Sequence, residues 1–260
     1  MRSVIVGLAI SLSVFAMPAF AAQCGNTGTG FERWKSEFAA EAKANGVNAK
    51  AIAALMNTSY ATATIKADRN QKSFKYTLAK FWQVRGADTI ISQGKRQKAA
   101  NAALFASIEK KTGVPPGPLI AIWGMETAFG RFTGSQNVLS ATATLAYDCR
   151  RTEFFQEQLY AMLKLVGSGK VSASAKGAMH GELGQTQFMP KNVVLYAGGG
   201  NLNNKEAALM ATARFLRGHG WEPGEGYQPG QPNYGAIQGW NAAKVYQQAI
   251  AKMGARIDGN

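Results

Sequence analysis

The chain of 260 residues carries 29 Lys and Arg against 15 Asp and Glu, a formal charge of +14, and 46% of its residues are hydrophobic. That length supports one large domain or two small ones sharing a sizeable core, and so positive a balance favours an anionic partner such as cell-wall polymer, a membrane surface or nucleic acid. Nucleic acid suits the pattern least, because Lys72, Lys75, Lys80, Arg85, Lys95 and Arg96 are dispersed along the chain and form no recognisable module.

The first segment runs from Met1-Arg2 through the apolar stretch Val4 to Phe15 and reaches Ala19-Phe20-Ala21, the order of a secretory signal with its small-residue cleavage site. Residues 1–21 are therefore expected to be a signal peptide that directs export to the periplasm, and loss of Arg2 with it brings the charge to +13. No second long apolar run follows, and Gln23 stands where a lipoprotein signal needs a small residue, so no membrane or lipid anchor is expected. Cys24 and Cys149 are the two cysteines. In an exported chain such a pair reads as a disulfide, which would add about 4 to 5 kcal/mol in the chain-entropy model; the alternative is one buried thiol and one thiol in the tail.

Apolar spacing then predicts helices almost throughout. Phe31, Trp34, Phe38 and Ala42 give an amphipathic repeat over Phe31 to Ala44, closed by Asn45-Gly46, and Ala49 to Met56 gives a short second helix. Phe74 to Val84 and Ala87 to Thr112 continue the pattern and complete an N-terminal helical region, residues 22–112. Residues 113–260 form the second region, starting with a short apolar helix after the prolines. It continues with helices at Ala141 to Tyr147, Glu153 to Val166, Lys205 to Arg217 and Asn241 to Met253. A loop is expected over Gly167 to Ser174 and a Gly/Pro-rich connection over Trp221 to Pro232; Val193 to Tyr196 fits a short strand or a helical turn. The fold class is mainly α.

Chemistry concentrates at Glu126, near the end of the run Pro115-Pro116-Gly117-Pro118-Leu119-Ile120-Ala121-Ile122-Trp123-Gly124-Met125-Glu126-Thr127-Ala128-Phe129-Gly130. Helical spacing sets its carboxyl on the apolar stripe of Leu119, Ile122, Trp123 and Phe129. Desolvation and the negative end of the helix dipole then both disfavour the anion, which suits a general acid. The other reading is a structural glutamate paired with Arg131 or another base at the helix end.

Alternative chemistries lack their residues. His180 and His219 are the only histidines and there is no cysteine cluster, so no metal site is expected; a G-x-S-x-G elbow and a phosphate-binding loop are absent as well. No cofactor is implied. The segment from Gly181 to Pro190 offers the amides of Gln185 and Gln187 and the hydroxyl of Thr186 to a sugar, or forms a polar turn before a helix. Trp123, Trp221, Tyr227, Tyr234, Trp240 and Tyr246 could stack on sugar rings or fill the core.

Trp123-Gly124-Met125-Glu126-Thr127-Ala128-Phe129-Gly130 together with Gly181-Glu182-Leu183-Gly184-Gln185-Thr186-Gln187-Phe188-Met189-Pro190 resembles the membrane-bound lytic murein transglycosylase B family. Ala143 to Arg151 and Gly218-His219-Gly220-Trp221 fit the same pattern. The resemblance implies a lysozyme-like helical catalytic region over 113–260 and cleavage of peptidoglycan glycan strands between N-acetylmuramic acid and N-acetylglucosamine with formation of 1,6-anhydro ends. It places Glu126 on the catalytic glutamate and Gln187, Asn241 and Tyr246 on substrate-binding positions. Glu182 matches a glutamate found in one branch and is read as structural. Two departures stand out: Ala197 to Asn204 lacks the aspartates of a calcium loop, and Ala178 occupies the place of a serine in the family's cleft. A hydrolytic muramidase and a non-catalytic peptidoglycan-binding or assembly protein are the rival readings.

Overall fold

The computed structural model describes residues 22–70 and 76–259; the expected signal peptide and the start of the Phe74 to Val84 helix lie outside them. Thirteen α-helices occur among the described residues: α1 (Phe31–Ala44), α2 (Ala49–Met56), α3 (Thr62–Arg69), α4 (Leu78–Arg85), α5 (Ala87–Ala100), α6 (Ala102–Thr112), α7 (Pro116–Thr127), α8 (Val138–Tyr147), α9 (Thr152–Gly167), α10 (Pro190–Tyr196), α11 (Lys205–Gly218), α12 (Tyr234–Trp240) and α13 (Lys244–Asp258). The fold is mainly α, and extended structure among these residues is confined to two-residue strands and isolated bridges. Strand β1 (Gln136–Asn137) pairs antiparallel with β2 (Lys176–Gly177).

Side-chain caps start several helices where the sequence offers Asn or Thr. Asn48 accepts from Ala51 N, Thr77 from Lys80 N, Asn137 from Ser140 N, and Asn204 from Glu206 N and Ala207 N. The expected helix from Ala87 to Thr112 is divided at Asn101, whose side-chain amide donates back to the Gln97 carbonyl at 2.9 Å. The last helix begins at Lys244, three residues later than its apolar spacing suggests, because Asn241 Oδ1 takes the Ala243 N–H at 2.9 Å in a local turn. Helices α3 and α12 were not expected: α3 is short and charged, and α12 is threaded with glycine. Val193 to Tyr196 belongs to a helix, entered through Pro190 at its first position.

One hydrophobic core runs through the described residues. On one side α1, α2, α3 and α10 pack around α8 and α9; on the other α5 and α13 pack around α7 with α4 seated on both of them, and α11 touches α6, α7, α10 and α12. α7 is buried on every side, so its composition describes a central helix and not the one-sided stripe read from its spacing. It runs antiparallel to α13. A Cβ on Gly117 would sit 2.3 Å from the Gly254 carbonyl oxygen, so only glycine permits this approach of the two backbones. Asp258 closes the same end: Oδ1 accepts the Gly117 N–H at 2.8 Å and Oδ2 the Tyr227 hydroxyl at 2.8 Å.

Cys24 and Cys149 are bonded, across 125 positions of sequence, and Gly25 N donates to the Tyr147 carbonyl beside them. Beyond this crosslink Arg69 pairs with Asp148 at 2.6 Å, while Arg150 and Arg151 both bind Asp68, whose side chain is 2% exposed. Replacing both cysteines by serine is expected to lower unfolding free energy by about 2 to 4 kcal/mol, below the chain-entropy limit of roughly 5 for so long a loop. Denaturant unfolding measures this; coincident midpoints for the variant and the oxidised protein would contradict it.

Candidate active site

Glu126 lies in the last turn of α7 and is the one residue of that helix not fully buried. The chain leaves the helix through Ala128, Phe129 and Gly130, all with positive φ, of 49°, 62° and 83°. This exit is tied down by Ala128 N to Gly124 O, Gly130 N to Thr127 Oγ1, and the Phe129 ring set edge-on against Trp123 at 5.3 Å. The helix therefore stops at Thr127. Arg131 does not pair with Glu126. Its guanidinium donates to the Ala128 carbonyl and to Gln93.

The partners of Glu126 come from the far end of the chain. Trp240 Nε1, at the end of α12, donates to Oε1 at 3.0 Å, and the Tyr246 hydroxyl, from α13, donates to the same oxygen at 2.6 Å. An indole N–H can only donate, so Oε1 is held as an acceptor and the proton of the neutral acid belongs on Oε2. Burial raises the Glu126 pKa and outweighs the two donors, which favour the anion; the charge of Glu182 raises it further and that of Arg85 opposes. Arg85 is itself placed over the rings of Phe81 and Tyr246.

Two cavities meet at Glu126. The larger, about 440 Å³, lies between α7 and the α4–α5 corner and is lined by Arg85, Gln93, Phe129, Arg131 and Phe132, the last 72% exposed. The smaller, about 200 Å³, is lined by Glu182, Gln187, Met189, Asn192, Trp240 and Asn241. Its wall is a tight turn in which Leu183 and Phe188 exchange both backbone hydrogen bonds at 2.9 Å. Gly184 fits there at φ 76° because a Cβ would meet Leu202 at 2.4 Å. Gln187 also has positive φ, 56°. Among the described residues the non-glycine residues with positive φ are Ala128, Phe129 and Gln187, all at this cleft, where such conformations cost about 1 to 3 kcal/mol each and are held by their surroundings.

The expected site residues divide by placement. Gln187 lines the smaller cavity; its Nε2 donates to the carbonyls of Gly184 and Thr133, which leaves Oε1 to accept from a ligand. Asn241 lines the same cavity, with Oδ1 used on Ala243 N and its amide nitrogen left to donate. Tyr246 is placed differently from the expectation of substrate contact: it is 4% exposed and spends its hydroxyl on Glu126. Gln185 and Thr186 are scaffold. Gln185 accepts from Trp123 Nε1 and donates to the Asn203 carbonyl, and Thr186 is fully buried. Of the aromatic residues considered for stacking, Trp123, Trp221 and Tyr227 are core, while Trp240 faces the cleft. Trp240, read from sequence as a possible stacking surface, is a hydrogen-bond partner of the acid, while Arg85 beside Glu126 and Glu182 in its cavity were not identified as site residues from sequence. Among the described residues no group of three His, Cys, Asp or Glu side chains gathers as a metal site would require, and no helix is long and apolar enough to cross a membrane.

A carboxyl whose proton affinity is raised by folding imposes no penalty while protonated. The penalty appears as pH rises above the ordinary glutamate range and grows until the folded pKa is passed. Glu126→Gln keeps the acceptor for Trp240 and Tyr246 and removes the charge, so it is expected to melt above the wild type at neutral pH. The difference should vanish on acidification below the ordinary glutamate range. Thermal melts across pH measure this; a Gln variant that melts lower at neutral pH would contradict the burial argument.

Residues 30–231 match the family described as "Transglycosylase SLT domain". The membrane-bound lytic murein transglycosylase B of Escherichia coli (strain K12) is 34% identical over 136 residues, which cover 46% of this chain and 38% of that protein, so the match spans well under half of its length. SltB3 of Pseudomonas aeruginosa, solved in complex with NAG-anhNAM-pentapeptide, superposes with a TM-score of 0.80 at 26% identity, covering 90% of this chain and 80% of that one. Slt35 of Escherichia coli in complex with bulgecin A shares the fold, with a TM-score of 0.73 at 19% identity over 92% of this chain and 96% of its own.

Proposed function

The chain belongs to the transglycosylase SLT domain family, and from that membership and the geometry around Glu126 we propose that it is an exported peptidoglycan lytic transglycosylase. The observation that carries the reading is a carboxyl group with raised pKa, one oxygen fixed by two donors, at the junction of two cavities. A glycan strand crossing that junction has sugar units on both sides of the carboxyl. SltB3 is known with a peptidoglycan fragment bound, and a glycan strand is the partner that fits this cleft.

Neutral Glu126 gives its Oε2 proton to the glycosidic oxygen as the bond from that oxygen to C1 of the N-acetylmuramic acid breaks. The N-acetylglucosamine side departs as an alcohol. The C6 hydroxyl oxygen of the muramic acid then bonds to C1, and its proton returns to Glu126. No water is consumed, the acid is regenerated, and the product carries a 1,6-anhydro end. Trp240 and Tyr246 serve both halves: they fix the orientation of the acid and stabilise the anion formed between the two proton transfers. Desolvation favours the protonated form of the resting group.

Export through residues 1–21, with the Cys24–Cys149 bond formed in an oxidising compartment, fits a wall substrate outside the cytoplasm. A hydrolytic muramidase is the second reading, favoured by Glu182 in the cavity of Glu126, since a second carboxylate could activate water.

Digestion of purified sacculi followed by product mass separates the two, because an anhydro end is lighter than a reducing end by one water. Anhydro ends are expected from the wild type and none from Glu126→Gln; reducing ends would replace the transglycosylase by the hydrolase, and full release by the Gln variant would remove Glu126 from the mechanism. Gln187→Ala is expected to lower kcat/KM about tenfold, since one hydrogen bond to substrate is worth roughly 0.5 to 1.5 kcal/mol, and to lower Tm slightly, because the Nε2 bonds to the Gly184 and Thr133 carbonyls go with it. Early melting with wild-type turnover would make Gln187 structural.

A further inference from the structure

Glu182 stands in the wall of the smaller cavity, opposite the end of α7, with Glu126, Gln187 and Asn241 around the same space. Its side chain retains 21% of its surface. Both carboxylate oxygens are engaged by one residue: Oε2 accepts the His180 backbone N–H at 2.9 Å, and Oε1 lies 3.2 Å from His180 Nδ1. A carboxylate can only accept, so Nδ1 carries the proton in this pair. On its other side the imidazole Nε2 is 3.8 Å from Asp68 Oδ1, and Asp68 is clamped by Arg150 and Arg151. A line of polar contacts thus runs from Asp68 in α3 and the arginines that follow α8, through His180 and Glu182, to the cavity that holds Glu126.

A tie for the loop alone would not need a carboxylate in this position. The turn is already closed by backbone hydrogen bonds between Leu183 and Phe188 and between Ala178 N and the Glu182 carbonyl. A negative group facing Glu126 also repels the anion that Glu126 becomes, which disfavours the resting fold once both are charged. What such a group can stabilise is positive charge, and breaking a glycosidic bond develops positive charge on C1 and the ring oxygen.

We propose that Glu182 is a second catalytic carboxylate, which faces the sugar in the Glu126 cavity and stabilises the oxocarbenium character of the transition state, with His180 as its positioning residue. The inference rests on the glycan-cleaving reading given above. Glu182 forms no bond to carbon and takes up no proton; both proton transfers stay with Glu126, and the C6 oxygen remains the nucleophile.

The groups facing Glu126 are Arg85 from α4, Trp240 at the end of α12, Tyr246 from α13 and Glu182 from the loop. Removing the Glu182 charge should therefore lower the proton affinity of Glu126 and move the alkaline limb of the rate profile to lower pH. The test uses the full-length exported enzyme on sacculi, with the rate of release followed across pH and Tm recorded for each variant. Glu182→Gln is expected to lose on the order of 100-fold in kcat with little change in KM and with the alkaline limb displaced downward. Glu182→Asp should recover part of the rate and return the limb toward the wild-type position, and it decides the matter if the Gln variant does not fold. His180→Gln should give a smaller loss.

Wild-type kcat and an unshifted limb in Glu182→Gln, or a loss in Glu182→Asp that merely follows Tm with the limb in place, would overturn the proposal. These outcomes are read in an enzyme that releases glycan. Should the wild type release none, the glycan-cleaving reading itself fails, a result distinct from an active wild type with an indifferent Glu182.

Discussion

The antiparallel approach of α7 and α13 is the constraint on which the site depends. At one end Gly117 and Gly254 let the backbones nearly touch and Asp258 locks the register through the Gly117 N–H. At the other end the same register sets Tyr246 beneath Glu126. A side chain at Gly117 would force the helices apart, and the displacement would reach the 2.6 Å hydrogen bond that orients the acid. Packing at one end of the pair thus becomes proton chemistry at the other, through two rigid helices with no loop between them and the carboxyl.

Much of this fold is legible in the sequence where local signals act alone. The stripe of Phe31, Trp34 and Phe38 marks α1 to the residue, and α9 and α11 follow their apolar spacing closely. Legibility fails where a side chain overrides the spacing: Asn101 divides α5 from α6 without Gly or Pro, and Asn241 delays α13. The site follows the same rule at longer range. Glu126 announces itself as a carboxylate in an apolar run, yet its partners Trp240 and Tyr246 lie 114 and 120 residues away, and no spacing rule connects them. Tyr246 reads as a sugar-binding aromatic until its hydroxyl is seen on the acid. The Glu182 motif looks like a structural turn for a similar reason, since its relation to Glu126 exists only in the folded chain.

Local strain gathers around the cleft, beside a desolvated carboxyl group. Ala128, Phe129 and Gln187 hold left-handed conformations on either side of the carboxyl, and Thr127 joins the two segments through its hydroxyl on the Gln185 carbonyl at 2.6 Å. Each of the left-handed conformations works against stability taken by itself, and the Thr127 bond helps to offset them. Together they aim two short segments at one space, and the surrounding core of large aliphatic and aromatic side chains holds them there.

The crosslink between Cys24 and Cys149 also partitions the molecule topologically. It closes residues 24–149 into a covalent ring that contains α1 to α8, and with them Glu126 and Arg85, while Glu182, Gln187, Trp240 and Tyr246 belong to the open tail that follows. The cleft is a seam between ring and tail. A single backbone cut inside the ring leaves every residue of the site on one covalently connected molecule. A cut in the tail between Cys149 and Glu182 leaves the acid on one piece and its hydrogen-bond donors on another, joined by packing alone.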